Sequence, residues 1–533
     1  MRRPRLAVTI PAALCGLLAG MAPAVASPGP ATPDTTRIPA RYTGQALEWH
    51  ACATGELADL PPGTDITGLE CATYRTPRDW DRPDDGQELT IAISRLRPTG
   101  ATTASVLTNP GGPGGPGRWF PIMLRGQDKL RTHQEIIGID TRGTGRSTTV
   151  SCGGADDTGA DLDPRDRDPR NLNLIVDATR YTATACHRAT GELGSLISTF
   201  QNVRDLNLLR TLLGRDKINW VGYSAGTWLG AHYAQRFPQH TGRFVLDSST
   251  QFTGTWQQSF DWQPLGYERR WRQDFLPWLA RYDAQYHFGT SGEAARQTYE
   301  NVRYALTREP VEVNGTKIGA VLLDSYLVGA LKAKSQFPAI ATTLVKVRTL
   351  TDARASAAAK DDARAALGTT LSKSALPLDG PLRAAGADDA MVSTLITTLC
   401  NDGPWTGDRQ SLIRRSQEYL DRGVTLHSSL WMRLQTCAFW PGKPRPMPVL
   451  DGKGVPPVVI VQSEHDPATP IEGARKAHAA FRNSRLLTVT GEGDHGIYGI
   501  GGNKAVDRVV DDYLVDGVVP ADQSVPGLPL PTP

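Results

Sequence analysis

Ser224 lies in Gly222-Tyr223-Ser224-Ala225-Gly226, directly after the apolar run 218–222 and directly before a helical pattern at 227–237. A serine between a strand and a helix, with glycines two residues to either side, has the context of a nucleophile elbow, a sharp turn that stands the hydroxyl clear of the sheet. The N-terminus of the following helix favours the negative charge that develops there. Acyl transfer to such a hydroxyl needs a base for its proton, a carboxylate to orient that base, and donors for the tetrahedral oxyanion.

Among the histidines, His495 lies in a Gly-rich loop after the last strand-like run, in Gly491-Glu492-Gly493-Asp494-His495-Gly496, and is read as the general base. Asp466, in Ser463-Glu464-His465-Asp466-Pro467, follows the run 458–462 and is read as the acid that orients it. The chain order is then Ser, Asp, His. Asp247, ending the run 244–247, and Asp494, beside the histidine, are rival acids; the first is expected to cap a turn and the second to point away. The loop Asn109-Pro110-Gly111-Gly112-Pro113-Gly114-Gly115-Pro116-Gly117 follows the run 104–108, and its glycines let backbone amides approach a ligand. The oxyanion donors are assigned to the amides of Gly112 and Ala225. A phosphate loop would need the Lys-Ser/Thr that this segment lacks.

These residues need a scaffold, and the sequence supplies one. Apolar, β-branched runs at 72–74, 89–96, 104–108, 135–140, 218–222, 244–247, 458–462 and 485–489 are bounded by Gly, Pro or Asp. Several lack polar alternation, as suits strands buried on both faces of a parallel sheet. Helical patterns at 203–213 and 227–237 flank the run that leads to Ser224, so the fold class is α/β. The alternation stops from about 251 to 455, which reads as a helical cap inserted over the sheet. Within it Tyr267, Trp271, Phe275, Trp278 and Tyr282 share one helix face, read as cap core with a ring or two available to line a pocket.

The N-terminus carries Arg2, Arg3 and Arg5, an apolar stretch at 6–22 and then Ala24-Val25-Ala26, the pattern of a secretory signal cleaved near Ala26. The expected location is therefore extracellular, without stable membrane insertion. Residues 27–44 read as a flexible linker, 45–250 and 426–515 as the two parts of the core, 251–425 as the cap, and 516–533 as a Pro-rich mobile tail. Of the 7 cysteines, Cys15 falls in the signal; the other six suit disulfides in an oxidising compartment. Their spacing falls into three local pairs, Cys52 with Cys71, Cys152 with Cys186 and Cys400 with Cys437, and no two are close enough for a zinc site. With 39% hydrophobic residues the 533-residue chain can bury a large core. The formal charge of +3 is accounted for by the three signal arginines, so no basic excess remains for nucleic acid.

The motifs NPGGPGGPG from Asn109, Gly138-Ile139-Asp140-Thr141-Arg142-Gly143-Thr144-Gly145-Arg146-Ser147, GYSAG, Cys400-Asn401-Asp402, Cys437-Ala438-Phe439-Trp440-Pro441 and PPVVIVQSEHDPATP from Pro456 extend over about residues 48 to 515. Together they resemble the secreted tripeptidyl aminopeptidases of actinomycetes, α/β-hydrolase-fold serine peptidases related to prolyl aminopeptidases. The resemblance implies an α/β-hydrolase fold with a large, mainly helical cap, and release of short peptides, typically tripeptides, from a free N-terminus. No metal or organic cofactor is implied. Asp140 and Arg142 would organise their loop rather than react. Ala225 departs from the aromatic residue that members commonly carry after the nucleophile, leaving the wall beside the acyl group more open.

On this reading the partner is a peptide or a small amide, and the chain acts as a monomer. An aminopeptidase needs a carboxylate for the substrate ammonium, and Asp402 is the candidate for that role. The alternatives are a secreted amidase or esterase that deacylates a small molecule, such as an N-acylated antibiotic, and a non-catalytic binding protein on the same scaffold.

Overall fold

In strands β6, Ile218–Tyr223, and β7, Thr241–Asp247, neighbouring apolar side chains go to opposite faces and both faces are covered. Trp220, Phe244 and Leu246 enter one core, whereas Val221 and Val245 enter the other. That double burial is why these runs carry no polar alternation. The computed structural model describes residues 38–533 apart from 58–59, 61–62, 102–103 and 374–388, and residues 38–533 form one compact unit. The signal peptide and most of the expected linker lie outside the described residues.

The remaining strands are β1 (His50–Ala51), β2 (Leu69–Pro77), β3 (Glu88–Leu96), β4 (Ala104–Asn109), β5 (Gln134–Asp140), β8 (Val311–Val313), β9 (Thr316–Ile318), β10 (Val458–Ser463), β11 (Ser484–Thr490) and β12 (Gln523–Pro526). Among the described residues the main sheet runs β1-β2-β3-β5-β4-β6-β7-β10-β11-β12. Pairing is antiparallel from β1 to β5 and parallel from there to β12. The carboxyl ends of β4, β6, β10 and β11 therefore lie on one side, where their loops carry the Gly-rich segment, Ser224, Asp466 and His495. One face is covered by the helices Thr199–Leu212, Ala225–Arg236 and Ile471–Ala480, the other by Lys504–Asp511.

The insertion after β7 is mainly helical, with the β8–β9 hairpin as its strand component. Trp271, Phe275 and Trp278 are buried in its own core with Leu327, Phe337 and Leu344, as the stripe predicts. A π-helical turn at Arg270–Phe275 sits inside this helix run. Helical turns continue through Gln435–Phe439, past the expected end of the cap, before the sheet resumes at β10.

All three expected disulfides are present. Cys400–Cys437 ties the helix Ala390–Asn401 to the Gln435–Phe439 turn, the last turn before the chain returns to the sheet. Among the described residues no helix is long and apolar enough to cross a membrane.

Two expectations about the chain ends need correction. The linker reading fails at Ala40–Thr43, a helical turn whose Tyr42 is buried beside Trp80. The Pro-rich tail is not free: β12 pairs in parallel with β11, Gly527 donates to Thr490 O at 2.8 Å, and Trp278 Nε1 donates to Pro531 O at 2.6 Å. Proline lacks a donor, but an edge strand needs its ladder on one side only, so Pro526 is tolerated there.

Candidate active site

Ser224 has φ 54° and ψ −124°, a strained conformation for a residue with a side chain, and it precedes the helix Ala225–Arg236. Its backbone is held on both sides: the amide donates to Asp247 O at 3.0 Å, and its carbonyl accepts from Thr227 N at 2.9 Å and Thr227 Oγ1 at 2.6 Å. The elbow is pressed against the Gly-rich loop. A Cβ on Gly111 would lie 2.5 Å from Tyr223 O and 2.8 Å from both Ala225 N and Ser224 Cβ, so only glycine fits there. Gly111 N donates to Asn109 Oδ1 at 3.0 Å, whereas the amides of Gly112 and Ala225 have no acceptor among the described residues.

The loop after β5 braces this segment. Asp140 accepts from the amides of Gly117, Arg118 and Arg146 at 2.8, 3.1 and 2.9 Å, and Thr144 Oγ1 donates to Gly114 O. Arg142, fully buried, pairs through two nitrogens with Asp205 at 2.7 and 2.8 Å. Both residues organise backbone, as the resemblance implies.

Asp466 is fully buried, and its two oxygens each lie 3.0 Å from His495 Nδ1. Oδ1 also accepts from the amides of Ala468 and Thr469, both at 2.9 Å, and Oδ2 accepts from Thr469 Oγ1 at 2.9 Å. Thr469 Oγ1 is 3.3 Å from His495 Nδ1 as well. Sequence reasoning missed this threonine; its signal was the Asp-Pro-x-Thr turn, where a hydroxyl and two amides can converge on one carboxylate.

The rival acids serve other partners. Asp247 accepts from Ile497 N at 3.1 Å, Tyr498 N at 2.7 Å and Ser248 Oγ at 3.1 Å, which anchors the loop just beyond His495. Burial pushes its carboxyl up to about 7, against the opposing pull of those hydrogen bonds. Asp494 turns toward the cap, accepting from Arg270 Nη2 and Lys334 N, each at 2.6 Å. Glu492 pairs there with Lys334 Nζ, and the His495 amide donates to Lys332 O at 2.8 Å.

Ser224 and His495 line one cavity of about 750 Å³, which cap residues including Tyr267, Val328 and Lys332 also line. That volume falls within the range of about 300–1,000 Å³ typical of small-ligand clefts. Tyr267 is thus the ring of the aromatic stripe that reaches the pocket.

Asp402 is not among the residues lining this cavity, which corrects its assignment to the substrate ammonium. Its Oδ1 accepts from Thr199 N at 2.9 Å, and its Oδ2 accepts from Thr199 Oγ1 at 2.6 Å and Trp256 Nε1 at 3.1 Å. Burial raises its carboxyl to about 6, partly opposed by these three donors. The carboxylate satisfies the first turn of the helix Thr199–Leu212 and holds Trp256 against Trp228, with ring centroids 4.0 Å apart. Asp156, after the Cys152 disulfide, is the residue that brings a carboxylate to the cavity.

A mostly parallel sheet of this order, a serine elbow at its carboxyl edge and a helical insertion above it define an α/β-hydrolase. Residues 425–526 match the family described as TAP-like protein. Over 492 residues the chain is 31% identical to the tripeptidyl aminopeptidase of Streptomyces lividans, covering 90% of this chain and 86% of that one. It is 27% identical to serine protease Hip1 of Mycobacterium tuberculosis, with 90% of both chains covered, and 27% identical to carboxylesterase B of the same species, with 95% of both covered. The chain belongs to the tripeptidyl aminopeptidase family of serine peptidases.

Proposed function

We propose that the protein is a secreted exopeptidase that releases short peptides, tripeptides foremost, from a free N-terminus. Ser224 attacks the scissile carbonyl, His495 takes its proton and returns it to the leaving amine, and Asp466 fixes the imidazole and stabilises its charged form. The amides of Gly112 and Ala225 receive the oxyanion, a role consistent with their lack of other acceptors. The observation that carries the reading is the cavity under the cap, which Ser224 and His495 line together with an acidic residue, Asp156. A roofed cavity of this size admits a chain end and excludes folded protein.

The substrate ammonium then pairs with Asp156, and the distance from there to Ser224 sets how many residues fit before the cut. Acetylating the N-terminus removes the charge that this carboxylate recognises, so kcat/KM for one tripeptide anilide should fall at least about a hundred-fold. Asp156→Asn should erase most of the difference between the free and the acetylated substrate. Equal rates on the two substrates in the wild type would reject the exopeptidase reading. Faster removal of an N-acetyl group than of any peptide would instead favour a deacylase, a reading to which the similarity to carboxylesterase B gives some weight.

Secretion rests on the N-terminal pattern and on the three disulfides, which persist in oxidising compartments. N-terminal sequencing of protein from the culture medium should start near Ser27; protein confined to the cytosol with Met1 intact would overturn it.

A further inference from the structure

Three buried or half-buried cations of the cap meet the His495 loop, Arg270 from the π-helical turn and Lys332 and Lys334 from the turn after the helix Ala320–Ala330, and two of them are compensated. Arg270 pairs with Asp274 at 2.7 Å and with Asp494 at 2.6 Å; Lys334 pairs with Glu492 and lies 3.9 Å from Asp494. Lys332 is different. Its carbonyl accepts the His495 amide, it lines the cavity with Ser224 and His495, and its ammonium has no ion pair or hydrogen bond among the described residues. A half-buried ammonium without a counter-ion is costly to desolvate, and an anionic ligand offsets that cost.

A second observation points to the same place. His427 lines the cavity, is 2% exposed, and stacks on Tyr267 with centroids 4.7 Å apart. Its Nδ1 is buried without a hydrogen-bond partner among the described residues. A buried polar atom of this kind calls for a ligand or a water. Burial, with a smaller push from the Lys332 charge, lowers this imidazole to about 3, so it stays neutral and adds no second cation.

We infer that Lys332, with His427 and its unsatisfied Nδ1 lining the same cavity, forms a carboxylate subsite in the catalytic cavity and selects substrates carrying a negative charge close to the cleaved bond. The inference rests on the cavity being the peptide site. The carboxylate has two possible sources with the same chemistry: an acidic side chain of the peptide, or the terminal carboxylate of a short leaving group. The hydrogen bond between the Lys332 carbonyl and the His495 amide ties the backbone of this lysine to the loop that carries the base.

The test measures kcat/KM for tripeptide anilides with Glu or Gln at each position, and for a tetrapeptide as free acid or C-terminal amide. Wild type should favour the carboxylate member of at least one pair by about tenfold. The arm that responds identifies the source. Lys332→Met should abolish the preference and Lys332→Arg should keep it; Lys332→Gln replaces the Met variant should that fail to fold. No carboxylate preference in any wild-type pair, or a preference that survives in Lys332→Met, would overturn the subsite. Should the protein hydrolyse no peptide, the proposed function fails but the subsite is still measured, by inhibition of p-nitrophenyl acetate hydrolysis with glutarate and with glutaramide. Glutarate should then inhibit wild type at about tenfold lower concentration and lose that advantage in Lys332→Met. Equal inhibition by the two compounds in wild type would overturn it.

Discussion

Ser224→Ala is expected to lower kcat by about a million-fold while leaving a folded protein, because a triad works as a unit and loses nearly all its effect with its nucleophile. The fold should survive for a local reason. The strained turn at φ 54° is held by backbone contacts, from the Ser224 amide to Asp247 O and from Thr227 to the Ser224 carbonyl, and none of them uses the hydroxyl. Alanine also keeps the Cβ that packs against Gly111. The residual rate should come from the oxyanion donors and substrate binding, about 10³–10⁴-fold over water. Turnover of a tripeptide anilide by the purified variant, with its melting temperature alongside, checks both parts. Near-wild-type turnover would remove Ser224 as nucleophile, and a collapsed melting temperature would show that the hydroxyl supports the elbow after all.

The elbow, the Gly-rich loop and the three cysteine pairs were legible because each imposes local residue types. A strand-to-helix turn this tight leaves no room for side chains at Gly222 and Gly226, where a Cβ would lie 2.4 Å from Gly226 O and 2.7 Å from Asn109 O respectively. The doubly buried strands announced themselves through their unbroken apolar runs. What failed to read out depends on partners far away in sequence. Nothing beside Asp402 says that Thr199 and Trp256 will consume its lone pairs, and nothing beside Asp156 says that it will line one cavity with Ser224. Lys332 and Lys334 look alike in the chain; only the approach of Glu492 and Asp494 separates a neutralised lysine from one left facing the pocket. The tail misled for a different reason, since its composition is that of a linker while its backbone finds the open edge of β11.

Asp466→Asn should lower kcat by about 10⁴-fold with little change in stability, and the hydrogen bonds around it give the cause. Oδ1 receives two backbone amides, from Ala468 and Thr469, which cannot reverse their polarity. The asparagine carbonyl must therefore take that position and the NH₂ must take the position of Oδ2. There the Thr469 hydroxyl can rotate to accept in place of donating, so the turn stays satisfied. The NH₂ now faces His495 Nδ1 as a donor, while the carbonyl is already taken up by two amides, so the ring is favoured in the tautomer in which Nδ1 accepts and Nε2 carries the proton. An imidazole in that tautomer cannot take the proton of Ser224. Asp247→Asn makes the control: the Asp247 oxygens bind the amides of Ile497 and Tyr498 and the Ser248 hydroxyl, so its effect should come through loop placement and be the smaller of the two. Steady-state kinetics of both variants on the same anilide decide the matter. An Asp466→Asn enzyme within tenfold of wild type, beside a crippled Asp247→Asn enzyme with an unchanged melting temperature, would transfer the orienting role to Asp247.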